Sequence, residues 1–175
     1  MKTVSITGHT KGIGHALLEN MSSDYNVIGF SRSNGYDIST NQDSIIQIAK
    51  NSDIFVNNAY YKKCQIDLFN KMLYLWKYDS NKTIVNIISR VQYDTHIQSS
   101  YNNNKTQLAE IAHAIDDRQC RIINVSPGFV ATDGIPEQWL IQKNERYITS
   151  KECAHYIRWA IDQPVEIGNL SLWKR

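Results

Sequence analysis

Along this chain the spacing of hydrophobic residues switches repeatedly between a period of two and a period near 3.6, and each switch marks a change of element. Val4 and Ile6 alternate with polar neighbours up to Thr7-Gly8, which predicts a short strand. After Gly14, the residues Ala16, Leu17, Leu18 and Met21 take helical spacing. A second strand is predicted from Tyr25 to Ser31, followed by a turn at Asn34-Gly35, a brief extended segment at Asp37-Ile38 and a helix over 41–50. Ile54-Phe55-Val56 centres a buried strand from Asp53 to Asn57. A helix over 66–78, a strand from Thr83 to Ile88, a helix over 99–115 and a strand from Arg121 to Val125 come next. A loop then runs to Tyr147, a helix covers 150–161, and Ile167 to Trp173 form a last strand. Strict alternation of strand and helix predicts an α/β fold: a parallel sheet of about six strands with helices on both faces.

One connection is too short for this pattern. Parallel neighbours need a crossover of about a dozen residues or more, and only a few separate the second strand from Asp37. The Asp37 segment is therefore expected along the rim of a ligand site rather than as a strand. The remaining strands are expected in the spatial order 2-1-3-4-5-6. The chain reverses direction across the sheet after its first two strands, and the loops that diverge at such a point leave a crevice for a nucleotide.

Length and composition narrow the class. The 175 residues predict one domain over 1–175, large enough to bury roughly 70% of the unfolded surface without disulfide or metal staples. With 42% hydrophobic and 21% charged residues the chain is that of an ordinary globular protein. Its 19 basic and 17 acidic residues leave a net charge of +2 with no basic stripe, so no nucleic-acid or membrane partner is expected. Cys64, Cys120 and Cys153 have no metal or disulfide spacing. No apolar run approaches the roughly 20 residues of a membrane span, and the first residues enter a strand pattern at once. A cytoplasmic location is expected.

The first chemical signal is Thr7-Gly8-His9-Thr10-Lys11-Gly12-Ile13-Gly14, between a predicted strand and a predicted helix. Glycines there allow a tight turn and let a pyrophosphate approach the free N–H groups of the helix. This segment resembles the TGxxxGxG cofactor turn of the short-chain dehydrogenase/reductase family. Four further matches follow in family order: Asn57-Asn58-Ala59 for NNAG, Ser89 at the end of the fourth strand, Tyr101-Asn102-Asn103-Asn104-Lys105 for YxxxK, and Asn124-Val125-Ser126-Pro127-Gly128 with Thr132. The resemblance spans nearly the whole chain and implies a Rossmann-like, doubly wound domain. It implies cofactor contacts from Gly8, Thr10, Lys11, Gly12, Ile13, Gly14, Asp37, Ile38, Asn58, Ala59, Pro127, Gly128, Val130 and Thr132, with Ser89, Tyr101 and Lys105 catalytic. By the same resemblance Tyr101 and Lys105 are also cofactor contacts, Lys105 binding the nicotinamide ribose hydroxyls.

The residues themselves make chemical sense. Tyr101 and Lys105, four apart on a helix, project toward one volume. A phenol titrating near 10 is a poor acid–base group at neutral pH, and a neighbouring ammonium should lower its pKa. Alone, a YxxxK pair is usually a solvated pair on a helix surface; Ser89 just upstream tips the reading toward catalysis. Where an acidic residue would bind the adenosine ribose of NAD, this chain has Phe30-Ser31-Arg32-Ser33. Arg32 and Lys11 could clamp a 2′-phosphate, which favours NADP(H) over NAD(H). Asp37 has two readings, an adenine contact or a turn residue, and His9 is placed to touch the adenosine.

The sequence also departs from the family pattern. Tyr60 replaces the glycine of NNAG, the stretch from Ala59 to Ser89 is short, and so is the loop from Ala131 to Tyr147. Asn70 is either the family's assisting Asn or an exposed helix residue. Trp139, Leu140 and Ile141 form a small lid or pack in a core or interface, and Tyr93 and His96 are placed to line a substrate cavity. The primary expectation is an NADP(H)-dependent oxidoreductase with a small carbonyl or alcohol substrate. Its competitor is a dinucleotide-binding regulatory protein with reduced catalysis. A sugar-nucleotide epimerase is disfavoured by glycine spacing and by the absence of a substrate domain. The resemblance further implies a homodimer or homotetramer.

Overall fold

Where the hydrophobic period first changes, β1 (Thr3–Thr7) ends and, after a glycine turn, α1 (Gly12–Met21) begins. The computed structural model describes residues 1–90, 99–132 and 147–174. Within them follow β2 (Asn26–Phe30), α2 (Gln42–Ala49), β3 (Ile54–Asn57), α3 (Cys64–Trp76), β4 (Thr83–Ile87) and α4 (Ser100–His113). β5 (Arg121–Pro127), β6 (Val130–Ala131), β7 (Ile148–Thr149), α5 (Ser150–Asp162) and β8 (Asn169–Leu172) complete the chain. Six strands form one parallel sheet in the order β2-β1-β3-β4-β5-β8, the order expected from the sequence, and β6 and β7 make a two-residue parallel ladder beside it. The fold is a Rossmann-like α/β domain.

Between β2 and α2 the chain forms no strand, which leaves β2 at the edge of the sheet. It turns instead through a short 3₁₀ helix (Arg32–Asn34) and Gly35, whose φ of 85° is left-handed. The extended segment expected at Asp37-Ile38 is a turn. The Asp37 carboxylate accepts hydrogen bonds from the backbone N–H and hydroxyl of Ser39 at 2.8 and 2.7 Å, which folds the chain back toward α2.

Alternating side chains split the interior into two cores. Val4, Ile6, Val56, Val85, Ile123 and Val125 face α1 and α5. Phe30, Phe55, Ile84 and Ile122 face α2, α3 and α4, where Ile45, Phe69, Met72 and Leu108 fill the space. The faces follow from crossover handedness. α1 carries the chain from β1 to β2 in one direction across the sheet; α2, α3 and α4 carry it in the other direction and lie on the opposite face. These four crossovers therefore share one hand, the right-handed one by its overwhelming preference. α5 moves the chain from β5 outward to β8 yet lies on the α1 face, so its crossover has the other hand. Arg158 of α5 anchors it there, donating to the carbonyl of Asn20 at 2.6 Å and to the Asp24 carboxylate. Cys64, Cys120 and Cys153 are free thiols, and no described helix is long and apolar enough to cross a membrane.

Candidate active site at the carboxyl ends of the strands

The ends of β1 and β3 are tied together just where the crevice opens. The Thr7 hydroxyl oxygen accepts from the backbone N–H groups of Asn58 and Ala59 at 2.9 and 3.0 Å, while the Asn58 amide donates to the Thr7 carbonyl at 2.9 Å. Asn58 is thus a strut beneath the glycine turn. Gly12 has a φ of 56° that L side chains seldom adopt, and the start of α1 lies so close to β1 that a Cβ on Gly14 would stand 2.2 Å from the Gly8 carbonyl oxygen. α1 itself has neither a side-chain cap nor an acidic residue in its first turn. Its free N–H groups and positive dipole end are left for an anion.

Beside this turn lies a cavity of about 650 Å³ lined by Gly8, Thr10, Lys11, Phe30, Ser31, Arg32, Ser33, Tyr36, Asp37, Ile38, Ser39, Ala59, Tyr60 and Tyr61. The segment at Asp37 thus borders this cavity, as a turn rather than as extended chain. Arg32 and Lys11 both reach the cavity and are solvent-exposed. The Asp37 carboxyl is held below its usual range chiefly by the Ser39 N–H, with the Ser39 hydroxyl and then Arg32 assisting. Its hydrogen-bonding capacity is largely spent on that turn, and Ile38 is largely buried in the α2 core.

The second cluster depends on how α4 begins. The Ser99 hydroxyl accepts from the Asn102 N–H at 3.1 Å and caps the helix. That start places Tyr101 in the first turn and Lys105 one turn on, with the Lys105 ammonium 5.5 Å from the centre of the Tyr101 ring. Ser89, just past β4, hydrogen-bonds the Tyr101 hydroxyl. Serine, tyrosine and lysine are thus brought together as the spacing implied. The electrostatics differ from expectation: the Tyr101 pKa is raised rather than lowered. Partial burial is the main cause, for the residue keeps 37% of its surface exposed; the Ser89 hydrogen bond opposes it and Tyr60 adds to it. Lys105 is 2% exposed, and burial pushes its pKa down from 10.5 to about 7. A lysine that burial shifts toward its neutral amine gives its neighbour less positive field than a full ammonium would.

Sequence reasoning missed the residue that holds Lys105. Gln65, in the first turn of α3 and 2% exposed, donates its amide N–H groups to the carbonyls of Asn57 (2.7 Å) and Ile87 (2.9 Å). Those two acceptors fix the amide orientation, so its oxygen must face the Lys105 ammonium, 2.8 Å away; the Ile87 carbonyl takes a second Lys105 hydrogen bond at 2.6 Å. Asn57 continues the polar network into a ladder across the sheet, Asn57 to Asn86 (3.2 Å) and Asn86 to Asn124 (3.1 Å). Asn70, the sequence candidate for an assisting group, is exposed on α3. A glutamine eight residues past Asn57 carries no local signal; only the topology brings it under Lys105.

Tyr60 stands between the two clusters. Its ring meets Tyr101 edge-on, with centroids 4.7 Å apart and planes at 75°, and lies 5.3 Å from the Lys105 ammonium. Its hydroxyl accepts from the Asn104 amide at 3.2 Å. Other expected cofactor residues lie around the cavity rather than in its wall. A side chain on Gly12 would press on Thr132 at 3.1 Å, and Ile13 and Val130 pack partly buried against the α1 core. Pro127 is buried at the end of β5, and the Gly128 N–H donates to the Leu172 carbonyl at 2.7 Å. The His9 ring is pressed against Gly29, away from the cavity lining. Tyr93, His96, Trp139, Leu140 and Ile141 lie outside the described residues.

No protein-family profile matches the chain, and neither does any curated protein. Solved structures do. A 3-ketoacyl-(acyl-carrier-protein) reductase from Brucella melitensis complexed with NADH is 16% identical with a TM-score of 0.76, the match covering 98% of this chain and 96% of that one. A short-chain dehydrogenase from Burkholderia cenocepacia in complex with NADP is 15% identical with a TM-score of 0.73, over 98% and 96%. Serine dehydrogenase from Escherichia coli is 15% identical with a TM-score of 0.69, over 98% and 97%. The chain has the fold of these dehydrogenases and reductases.

Proposed function

We propose that this chain is a member of the short-chain dehydrogenase/reductase family and acts as an NADP(H)-dependent oxidoreductase on a small carbonyl or alcohol substrate. The observation that carries the reading is the juxtaposition of two clusters: the hydrogen-bonded Ser89–Tyr101 pair with Lys105, and the glycine-turn cavity bordered by Lys11 and Arg32. The close approach at Gly14 and the uncapped start of α1 fit a pyrophosphate. Arg32 and Lys11, with Ser31 and Ser33, fit an added 2′-phosphate. When bound, the nicotinamide ring supplies or accepts the hydride.

In the reducing direction the Ser89 hydroxyl donates to the substrate carbonyl oxygen and holds it beside Tyr101. As hydride reaches the carbonyl carbon, the Tyr101 hydroxyl gives its proton to that oxygen and becomes a phenolate. Burial disfavours both the phenolate and the ammonium when each stands alone; a phenolate formed beside a Lys105 that already carries its proton is neutralised by it, and Lys105 holds that proton more tightly as Tyr101 gives up its own. Gln65 holds the ammonium in place for that moment. Oxidation runs the same proton path backwards.

Tyr101→Phe tests the reading. Turnover of a good substrate should fall by roughly 10²–10⁴ while NADPH still binds; turnover at the wild-type rate would remove Tyr101 from the proton path. The reading extends to assembly as a homodimer or homotetramer. Tyr74, Leu75 and Tyr78, exposed by 87%, 47% and 68% along and just beyond α3, favour it as an apolar patch.

A further inference from the structure

The cavity and the reactive side chains are neighbours that meet at Tyr60, which lines the one and touches the others. Glycine turn, cations, Asp37 and Ala59 line the cavity; Ser89, Tyr101 and Lys105 do not, and the wall between is Tyr60. One face of the Tyr60 ring takes the Lys105 ammonium, Tyr101 meets it edge-on, and Asn104 holds the hydroxyl from α4. The ring is not core: it is 36% exposed, in a four-residue loop between Ala59 and α3. That loop contains Lys62 at a φ of 46°, a left-handed conformation that a lysine holds at a cost, so the segment is under backbone strain rather than at rest.

We propose that Tyr60 is a specificity-determining gate: with its ring between Tyr101, Lys105 and the cavity, the site admits the adenosine-phosphate half of a dinucleotide freely and the nicotinamide half only after the ring swings away. This rests on the dinucleotide reading above and deepens it. A hydride donor lodged in the cavity cannot reach a substrate held by Ser89 and Tyr101 without displacing Tyr60. The displaced ring gives up an edge-to-face pair, a cation–π contact and a hydrogen bond at a half-exposed site. The combined effect on binding is roughly tenfold, equivalent to about 1.4 kcal/mol. A ligand that stops at the phosphates bears none of that cost. The gate therefore lowers the affinity ratio of the complete cofactor to its adenosine fragment without touching the 2′-phosphate clamp.

The experiment is calorimetric titration of the full chain and of Tyr60→Ala with two probes, NADPH and adenosine 2′,5′-bisphosphate. Tyr60→Ala should tighten NADPH about tenfold and leave the bisphosphate within about twofold; Tyr60→Phe, which removes only the Asn104 hydrogen bond, should stay near wild type for both. The gate is overturned if Tyr60→Ala leaves the ratio of the two affinities unchanged, or if it weakens NADPH, which would make Tyr60 a cofactor-stacking residue. In either case the bisphosphate still binds and the dinucleotide reading stands. If neither probe binds any of the three proteins, that reading fails and the gate fails with it. Because the ring is partly exposed, thermal melting should show all three proteins equally folded.

Discussion

Replacing Lys105 by methionine should change how stability depends on pH, in a direction the site fixes. The ammonium is 2% exposed, both its acceptors are neutral, and burial pushes its pKa from 10.5 to about 7. Below pH 7 the folded and unfolded chains both carry the proton, and the folded state bears the full burial cost. Between about 7 and 10.5 the folded chain has released the proton and the unfolded chain has kept it. The unfolded state then binds more protons, so stability rises with pH by about 1.4 kcal/mol per pH unit from this group. Between about pH 7.5 and pH 9.5 wild type should gain roughly 2.7 kcal/mol relative to Lys105→Met. The variant also leaves the Gln65 oxygen and one bond to the Ile87 carbonyl unmade, at roughly 1–3 kcal/mol each. That cost does not depend on pH and drops out of the slope, as do the tyrosines that titrate in both proteins. Urea unfolding of both proteins at three pH values across this interval measures the effect. Parallel stability curves would mean that Lys105 is charged in the folded state throughout, and the buried-neutral picture would be wrong.

The cofactor preference and the assembly have equally direct tests. Arg32→Ala removes one charged partner of the proposed 2′-phosphate clamp and should weaken NADPH roughly 10- to 100-fold while leaving NADH unchanged, followed by nicotinamide fluorescence. Equal weakening of both cofactors would place Arg32 on a part they share. Tyr74→Glu puts a charge on the apolar patch of α3 and should reduce the particle mass in light scattering from that of an oligomer to that of one chain. Wild-type particles of one-chain mass at micromolar concentration would refute the assembly.

Which features the sequence determined follows from their range. The strands and helices were legible because each depends on φ/ψ preferences and side-chain spacing within a few residues, as where Val4 and Ile6 give way to Ala16 and Leu17. The sheet order was legible for a related reason: a connection too short for a crossover excludes a strand at Asp37 whatever the rest of the chain does. Tyr101 and Lys105 shared a volume by helix spacing alone. What the tertiary structure decided lies between residues far apart in the chain. Gln65 meets Lys105 across forty positions only because α3 and α4 pack on the same face of the sheet. The rise rather than fall of the Tyr101 pKa depends on how much water the packed site excludes, which no local pattern encodes. Tyr60 was visible as a departure from a motif, but its place depends on the dihedral angles of one loop and on a ring, an ammonium and an amide presented from α4. Short-range sterics are written residue by residue, whereas burial and long-range pairing exist only once the helices have docked.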